Sequence, residues 1–416
     1  MKQATQSPRK PRKQPASRYL FPLAAAYAAL ILPWSSLAIL LWIPAPVGLY
    51  SIFGHAHELL IGYAMLVVAG YLLGPLEKHK LLLLVAVWLL ARLAFLFYPG
   101  SLLAWAGAMA VAGLTASWIV PRFARSAKKW RNKTIAPLVI ILCVLLVFAA
   151  QPYWQGQKIV IELLLGLALL MFFMGGRIIA PAVAGYLIRQ QRTLKARVQP
   201  QLEGTVLIMM FAALLLYPWP STLTEQAAGV LLLCSGALTG VRLLRWQLWH
   251  CVKRADLLLL ASGYLWLALG LLLIGSAMLF KSGLLSAGLH ALTVGALGTL
   301  TLTVMARTQL MQRYRDPNAR PLSHLAGILV NCAALLRVLP ALFGQQSNTW
   351  LLSASLFWML SFLLLLVVFW QSWRDPQQLS LARQPENHNG AEDRQANHKQ
   401  LKARQTPSRI TLSMLR

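Results

Sequence analysis

The stretch SIFGHAHELLIGYAMLVVAGYLL, residues 51–73, is apolar over most of its length. A membrane-spanning helix needs about 20 consecutive, predominantly apolar residues, and this stretch is long enough to be one. It nevertheless contains His55, His57 and Glu58 near its beginning. Ionisable side chains are costly within a bilayer and are usually placed there for a function. The stretch therefore indicates a transmembrane helix that carries part of a polar site.

The whole chain has the same apolar character. Of its 416 residues, 58% are hydrophobic and 12% are charged, whereas soluble proteins average about 45–50% and 25%. The sequence predicts an all-α, polytopic transmembrane bundle of about twelve spans. The first apolar run is too long for the core of a signal peptide, so we expect it to be retained. The predicted spans cover residues 20–43, 51–73, 80–98, 101–120, 135–150, 158–180, 203–218, 224–244, 256–280, 285–306, 321–343 and 349–370.

The net charge of +28 could suggest a nucleic-acid-binding protein, but the positions of the charges argue against it. Lys and Arg are concentrated in every second loop, and the alternate loops hold almost none. This alternation is typical of membrane proteins, in which the basic loops face the cytoplasm. It predicts that both termini are cytoplasmic and that nucleic acid is not a partner. Basic residues cluster at positions 2–18, 78–80, 122–133, 189–197, 253–254 and 313–320.

The same reasoning divides the chain into three parts. Residues 1–18 are predicted to form a basic cytoplasmic segment, and residues 19–373 the twelve-span domain. Residues 374–416 include the polar run RQPENHNGAEDRQANHKQ, whose composition cannot bury a core. We expect this last part to be a disordered cytoplasmic tail.

Eight ionisable residues within the predicted spans are candidates for a functional site, and several share one depth. At about 1.5 Å per residue, His55 and His57 lie roughly 6–9 Å from the outer end of their span, and His290 lies about 7 Å from the outer end of the tenth. By the same count Arg337 and Glu162 lie on the outer side, and Arg92 lies a little deeper. We therefore expect a polar site in the outer third of the bilayer, built from helices distant in sequence. The eight residues are His55, His57, Glu58, Arg92, Glu162, Arg177, His290 and Arg337.

Histidines at this depth are candidate metal ligands, because neutral imidazole binds iron, copper and zinc. Axial imidazoles from two helices suit a haem. His55 and His57 point about 200° apart on a regular helix, so they are not expected to bind one metal together. One could be an axial ligand while the other serves a second metal, a proton relay or a helix contact. For His290 the alternative is a structural histidine held by a hydrogen bond.

The arginines have two interpretations. Arg92 and Arg337 could pair with haem propionates, because guanidinium groups match carboxylates in geometry. Alternatively each could have a structural partner, such as Glu58, Glu162 or a backbone carbonyl. In GLHALTVGALGT, Gly288, Ala291, Gly295 and Gly298 form a smooth stripe that suits either close helix packing or a flat cofactor.

Several of these stretches resemble the NnrS family. GHAHELLIGYAMLVVAGYLL resembles its H-A-H-E-M-L-F-G segment, and GLHALTVGALGTLTLTVMAR, residues 288–307, is similar to its most characteristic stretch. Weaker similarities are GGRIIAP, GYLWLALGLLL and ARPLSHLAGILVNCAALLRV. The resemblance covers most of the predicted spans. The residues that match its motifs are His55, His57, Glu58, Arg177, His290 and Arg307.

The resemblance implies a multi-pass protein of the bacterial inner membrane, associated with haem, copper and tolerance of nitric oxide. Its implied cofactors are a b-type haem and copper. Its implied partners are the lipid bilayer, a small diatomic ligand such as nitric oxide, and an electron donor. The resemblance does not assign the ligands. From their depth and the motif matches together, we expect the cofactor to contact His55, His57, His290, Arg92 and Arg337, with Glu58, Glu162, Arg177 and Arg307 as supporting or relay residues.

The chain also departs from the family pattern. After the tenth span the family has a stretch resembling S-L-G-H-T-G-R-P-L, whereas this chain has TQLMQRYRDPNARPL, without histidine. If that histidine serves a metal on the cytoplasmic side, this chain has lost that site. Whether the chain turns over nitric oxide or only binds it is left open by the sequence. Two other classes of function are also compatible with it: a secondary transporter of a small solute and a membrane scaffold.

Overall fold

The computed structural model describes residues 13–126, 133–151 and 156–375. Contacts divide the chain into two units, Met1–Trp370 and Gln371–Arg416. In the described part of the chain, twelve helices follow one another and strand structure is limited to one short pair. The all-α prediction is therefore confirmed. The predicted basic segment and polar tail lie almost entirely outside the described residues, so those two predictions are not addressed by the structure.

The helices, numbered here in chain order, coincide with the twelve predicted spans. Ten are long and apolar enough to cross a membrane, and α5 and α7 are shorter apolar helices. The chain is therefore a multi-pass membrane protein, and its orientation stays a prediction. The helices are α1 Ser17–Ile39, α2 Ile52–Leu72, α3 Lys78–Phe97, α4 Leu102–Ser126, α5 Ile135–Ala149, α6 Gln157–Arg189, α7 Pro200–Leu216, α8 Thr222–Arg245, α9 Ala255–Phe280, α10 Leu285–Tyr314, α11 Pro321–Leu342 and α12 Asn348–Arg374.

Four helices continue beyond the predicted apolar runs. Helix α6 extends nine residues past Ala180 to Arg189, α4 extends to Ser126, α10 to Tyr314 and α12 to Arg374. These added turns carry Arg, Gln and Tyr, so a search for apolar runs ends before the helix does. Pro200 and Pro321 occupy the first turns of α7 and α11, where proline is well tolerated because its missing N–H needs no partner.

Helix α6 lies at the centre of the bundle. In its most apolar stretch 89% of the residues are buried, against 33% in α4. Large side chains such as Phe172 and Phe173 of α6 and Tyr264 of α9 are fully buried. Many large apolar side chains on the outer helices are exposed instead, Leu90 and Ile208 among them. Such an exposed apolar surface would be unfavourable in water, and it suits contact with lipid.

Two helices contain a wide, π-helical segment. In α2, an α-helical stretch Ile52–His57 is followed by a π-helical stretch Glu58–Ala64. In α10, the stretch Leu285–His290 is followed by a π-helical stretch Ala291–Gly298. Short π-helical segments are rare and occur frequently at functional sites. In both helices the segment begins directly after a histidine of the sequence motif.

The start of α2 is held by close backbone contact. A Cβ atom on Gly54 would overlap the carbonyl of Gly48, so this position accepts only glycine without movement of the loop. The hydroxyl of Ser51 caps the helix by accepting a hydrogen bond of 2.9 Å from the Gly54 amide. A two-residue antiparallel pair, Gln14–Pro15 (β1) with Pro75–Leu76 (β2), joins the chain before α1 to the end of α2.

Candidate functional site

A cavity of about 540 Å³ lies among α1, α2, α10, α11 and α12. This volume falls within the range of about 300–1,000 Å³ that is usual for ligand sites. Its ionisable lining residues are His55 of α2, His290 of α10 and Arg337 of α11. The two histidines are 235 residues apart in sequence but line the same cavity. The remaining lining is mainly apolar, with polar contributions from Ser36, Ser286, Ser355 and Gln346.

The ring of His290 is held by its own helix. Its Nδ1 atom lies 2.7 Å from the backbone carbonyl oxygen of Ser286. A carbonyl can only accept a hydrogen bond, so Nδ1 carries the proton and donates it. The other ring nitrogen, Nε2, then has the free electron pair that a metal requires.

The ring of His55 is held in a similar way by α1. Its Nδ1 atom lies 2.7 Å from the hydroxyl oxygen of Ser35, and that hydroxyl donates to the carbonyl oxygen of Leu32 at 2.9 Å. Because the hydroxyl hydrogen is used, Ser35 accepts from Nδ1–H of His55. Within the described part of the chain, neither His55 nor His290 has a hydrogen-bond partner at Nε2. Both histidines are thus oriented as metal-ligating histidines usually are, with the second nitrogen fixed by a neighbour.

Arg337 brings positive charge to the same cavity. It lies near both His55 and His290. It forms no hydrogen bond or ion pair with any residue that the structure describes. A guanidinium group has five donors in a planar fork that matches a carboxylate. The cavity therefore combines two imidazole nitrogens with a cation suited to an anionic group.

His57 lies on the opposite side of α2 from His55, as their separation of about 200° predicts. Its ring stacks on Phe95 of α3, with centroids 3.5 Å apart and planes 9° apart. Its Nδ1 atom lies 3.0 Å from Oε1 of Glu58. The structure therefore places His57 away from the cavity, in a buried cluster between α1, α2 and α3.

Glu58 and Arg92 form the ion pair of this cluster. Nη1 of Arg92 donates to Oε1 of Glu58 at 2.8 Å, and both side chains are buried. The hydroxyl of Tyr27 donates to the other carboxylate oxygen of Glu58. Arg92 thus has the structural partner that was the alternative to a propionate contact, and it does not line the cavity.

The other predicted residues also lie outside the cavity lining. Arg177 lies over the ring of Phe173, 5.6 Å from its centroid. Arg307 forms an ion pair with Asp256, which also accepts two hydrogen bonds from Arg254, at 2.8 Å and 3.0 Å. Glu162 is buried near the start of α6. The structure thus brings together His55, His290 and Arg337, and not Glu58, Glu162, Arg177 or Arg307.

A second buried ion pair was missed in the sequence analysis. Nη2 of Arg242 donates to Oε2 of Glu203 at 2.9 Å, and Nη1 of Arg242 donates to the hydroxyl of Tyr264 at 3.1 Å. Glu203 begins a predicted span and Arg242 nearly ends one, so both resembled ordinary helix-end charges. The second glycine of the motif GGRIIAP was the one indication of this pair in the sequence. A Cβ atom on Gly176 would overlap the guanidinium of Arg242, so the buried arginine requires a glycine there.

The small-residue stripe of α10 serves helix packing. A Cβ atom on Gly288 would contact Ile274, one on Gly295 would contact Trp266, and one on Gly298 would contact Trp358. Large side chains from α9 and α12 therefore fill the space that these glycines leave. Of the two interpretations of the stripe, the structure supports close packing.

The residues around the cavity do not form a complete protein-ligated metal site. In residues 13–126, 133–151 and 156–375, no group of three or more His, Cys, Asp or Glu side chains is placed to hold a metal ion. Zinc and copper sites made only of protein side chains usually have three or four ligands. A haem iron receives four nitrogens from its own porphyrin, so one or two imidazoles are sufficient. The side chains present fit a haem better than a copper ion.

Comparison with models of protein families gives a match over most of the chain. The family model described as NnrS protein matches residues 15–376, well over half of the chain. No curated protein matches the chain.

Proposed function

The chain belongs to the NnrS family, and from this membership and its cavity we propose that it is a haem-binding protein of the bacterial inner membrane. Membership makes it a nitric-oxide-related membrane protein. The proposal adds that it acts in the response to, or the relief of, nitrosative stress. We further propose that the haem is b-type, held without covalent attachment by residues of the bundle.

One observation carries the proposal: His55 and His290 line the same cavity, each with Nδ1 already engaged and Nε2 free. Two helices thereby offer one imidazole nitrogen each to a common space. When bound, a haem would supply an iron that can exchange an electron and that could take up a small diatomic ligand in place of one of the two imidazoles. Ser35 and the Ser286 carbonyl would keep the two rings in their ligating orientation.

The protein would contribute charge and exclusion of water as well as ligands. Arg337 would neutralise a propionate, since it lines the cavity and has no acidic partner among the described residues. The lining contributed by Leu32, Leu289 and Val294 is apolar, which favours burial of a porphyrin ring. An uncharged diatomic molecule can reach such a site through the lipid, because it is not excluded by the hydrocarbon core.

The proposal is tested by purifying the full chain and recording reduced-minus-oxidised visible spectra together with iron and copper analysis. We expect the absorption bands of a b-type haem and iron at about one equivalent per haem. Copper without iron would indicate that the cavity binds a different cofactor. A well-folded preparation with neither haem bands nor bound metal would exclude the proposed function.

Arg337→Gln is expected to weaken haem binding without removing it. The substitution keeps hydrogen-bonding capacity but removes the charge that would pair with a propionate, and a hydrogen bond to a charged group contributes about 1.5–3 kcal/mol. We therefore expect a roughly 10- to 100-fold faster loss of haem to a competing apo-haemoprotein. Arg337→Lys should retain part of the wild-type stability of the complex. Equal rates of haem loss in all three proteins would argue that Arg337 does not contact the cofactor.

A second candidate function is transport of a small anion. The observation that favours it is Arg337, which lines the cavity and has no ion-pair partner among the residues that the structure describes. Transporters often place such charges at a substrate site within the membrane. If the protein is a transporter, proteoliposomes that contain it should take up a radiolabelled anion even when the purified protein shows no haem absorption. Haem bands without anion flux would exclude this alternative.

A further inference from the structure

A second cavity, of about 90 Å³, lies between α2, α6, α9 and α10. Its walls include Ala64 and Val67 of α2, Leu167 and Leu170 of α6, and Leu260 of α9, all of them buried. The remaining lining is also mainly aliphatic or thioether, from residues such as Met171, Met174 and Leu297. It is thus distinct in chemistry from the cavity that contains the histidines.

The second cavity offers too few polar partners to hold water. Its lining has two side-chain hydroxyls, those of Tyr71 and Thr301. Thr301 Oγ1 donates to the carbonyl oxygen of Leu297 and lies 2.5 Å from the hydroxyl of Tyr63, so it is already engaged. A buried water usually needs two to four polar partners, and cavities without them stay dry. The cavity is therefore suited to an uncharged apolar occupant.

The volume limits the size of that occupant. An engineered apolar cavity of about 150 Å³ takes up benzene or xenon. The cavity here, at about 90 Å³, is smaller than that. It matches a diatomic molecule or a single xenon atom rather than an aromatic ring.

The two cavities are neighbours along α10. Val294 lines the histidine cavity and Leu297 lines the apolar cavity, and both belong to the π-helical stretch Ala291–Gly298. Trp358 lines the histidine cavity and makes an edge contact with Tyr63, with centroids 6.1 Å apart. Tyr63 in turn bonds to Thr301 of the apolar cavity. One helical turn of α10 and the contacts from Trp358 through Tyr63 to Thr301 therefore connect the linings of the two cavities.

We propose that the apolar cavity is a binding site for a small, uncharged, apolar molecule of diatomic size. The cavity holds such a molecule between α2, α6, α9 and α10, and it shares the π-helical stretch of α10 with the histidine cavity. That its occupant exchanges with the histidine cavity rests on the proposed haem function. Occupation of the apolar cavity itself depends only on its shape and lining.

Xenon tests the site directly, because it is apolar, of the right size and visible by anomalous diffraction. Crystals of the full chain pressurised with xenon are expected to show an anomalous peak between α2, α6, α9 and α10. Ala64→Leu should abolish this peak by filling the cavity, and Leu170→Ala should increase its occupancy by enlarging it. Leu142→Ala is the matched control, because Leu142 is equally buried but does not line the cavity. It should leave the peak unchanged.

Three results would overturn the proposal: absence of the peak in the wild-type protein, an ordered water or an acyl chain in its place, or a peak unaffected by both cavity variants. If Ala64→Leu does not fold, the expected gain in Leu170→Ala still decides the question. The measurement does not require haem. A xenon peak in a protein that binds no haem would support this proposal and exclude the proposed function. Haem binding without a xenon peak would support the proposed function and exclude this proposal.

Discussion

Replacing either His55 or His290 with alanine is expected to remove haem from the purified protein. Each substitution deletes the free Nε2 atom that one helix presents to the cavity. Loss of a residue that merely orients a ligating histidine costs about 10- to 100-fold in metal affinity, so loss of the ligand itself should cost at least about 100-fold. The haem content per protein and the position of the Soret band measure the effect.

A graded series makes this prediction specific. Ser35→Ala removes the hydroxyl that fixes His55 but leaves its imidazole in place, so it should weaken haem binding by about 10- to 100-fold. His79→Ala is the control, because His79 carries the same ring on a side chain that is 71% exposed. It should bind haem as the wild-type protein does.

His57 supplies a second comparison within the same motif. Its ring stacks on Phe95 and bonds to Glu58, so His57→Ala should lower thermal stability while the protein that remains folded keeps its haem. Full haem occupancy in both His55→Ala and His290→Ala would refute the assignment of the cavity. Loss of haem only in His57→Ala would move the site to the cluster around Arg92.

The comparison of His55 with His57 shows how far the sequence alone could predict the site. Depth along a helix follows from counting residues, and this count brought together His55 and His290 although they lie on α2 and α10. The direction of a side chain about its helix also depends on which helices pack beside it. Without that packing, the sequence could separate His55 from His57 by angle but could not tell which of them faces the cavity.

The fold was easier to predict than the site, because each helix can be identified from its own apolar run and flanking basic loops, without knowledge of its neighbours. The twelve helices agree with the predicted spans, and the largest deviations occur where α6 and α10 continue through polar turns. Neither π-helical stretch was predicted, since ELLIGYA and ALTVGALG read as ordinary helical sequence. The Glu203–Arg242 pair was missed because charges near span ends are usually solvated, and the burial of this pair arises from α6 packing over it.

Arg242→Met is expected to be among the most destabilising single substitutions in the bundle. It leaves the carboxylate of Glu203 buried without the guanidinium that now donates to it at 2.9 Å. Removing one member of a buried ion pair costs about 3–5 kcal/mol, because the remaining charge loses the compensation that its partner gave it. Reversible unfolding in mixed detergent micelles, followed by tryptophan fluorescence, measures the change in free energy of unfolding.

The control for this prediction is the pair formed by Glu77 and Lys80, whose atoms lie 3.1 Å apart at the start of α3 with both side chains accessible to solvent. Lys80→Met should leave the free energy of unfolding unchanged within error, because exposed ion pairs contribute little. An equally small effect for Arg242→Met would contradict the prediction. It would mean that water or another cation reaches Glu203 once the guanidinium is gone.

The double variant Glu203→Leu/Arg242→Met separates two causes of the lost stability: the buried charge of Glu203, and the other contacts that Arg242 makes. It removes both charges, so it should recover much of the stability that Arg242→Met loses, as apolar replacements of buried ion pairs often do. Arg242 also lies over the rings of Phe172 and Trp246, with its guanidinium carbon 4.6 Å and 5.3 Å from their centroids. A double variant as unstable as the single one would therefore locate the stabilisation in this aromatic stack and in the hydrogen bond to Tyr264. Recovery would locate it in the neutralisation of Glu203.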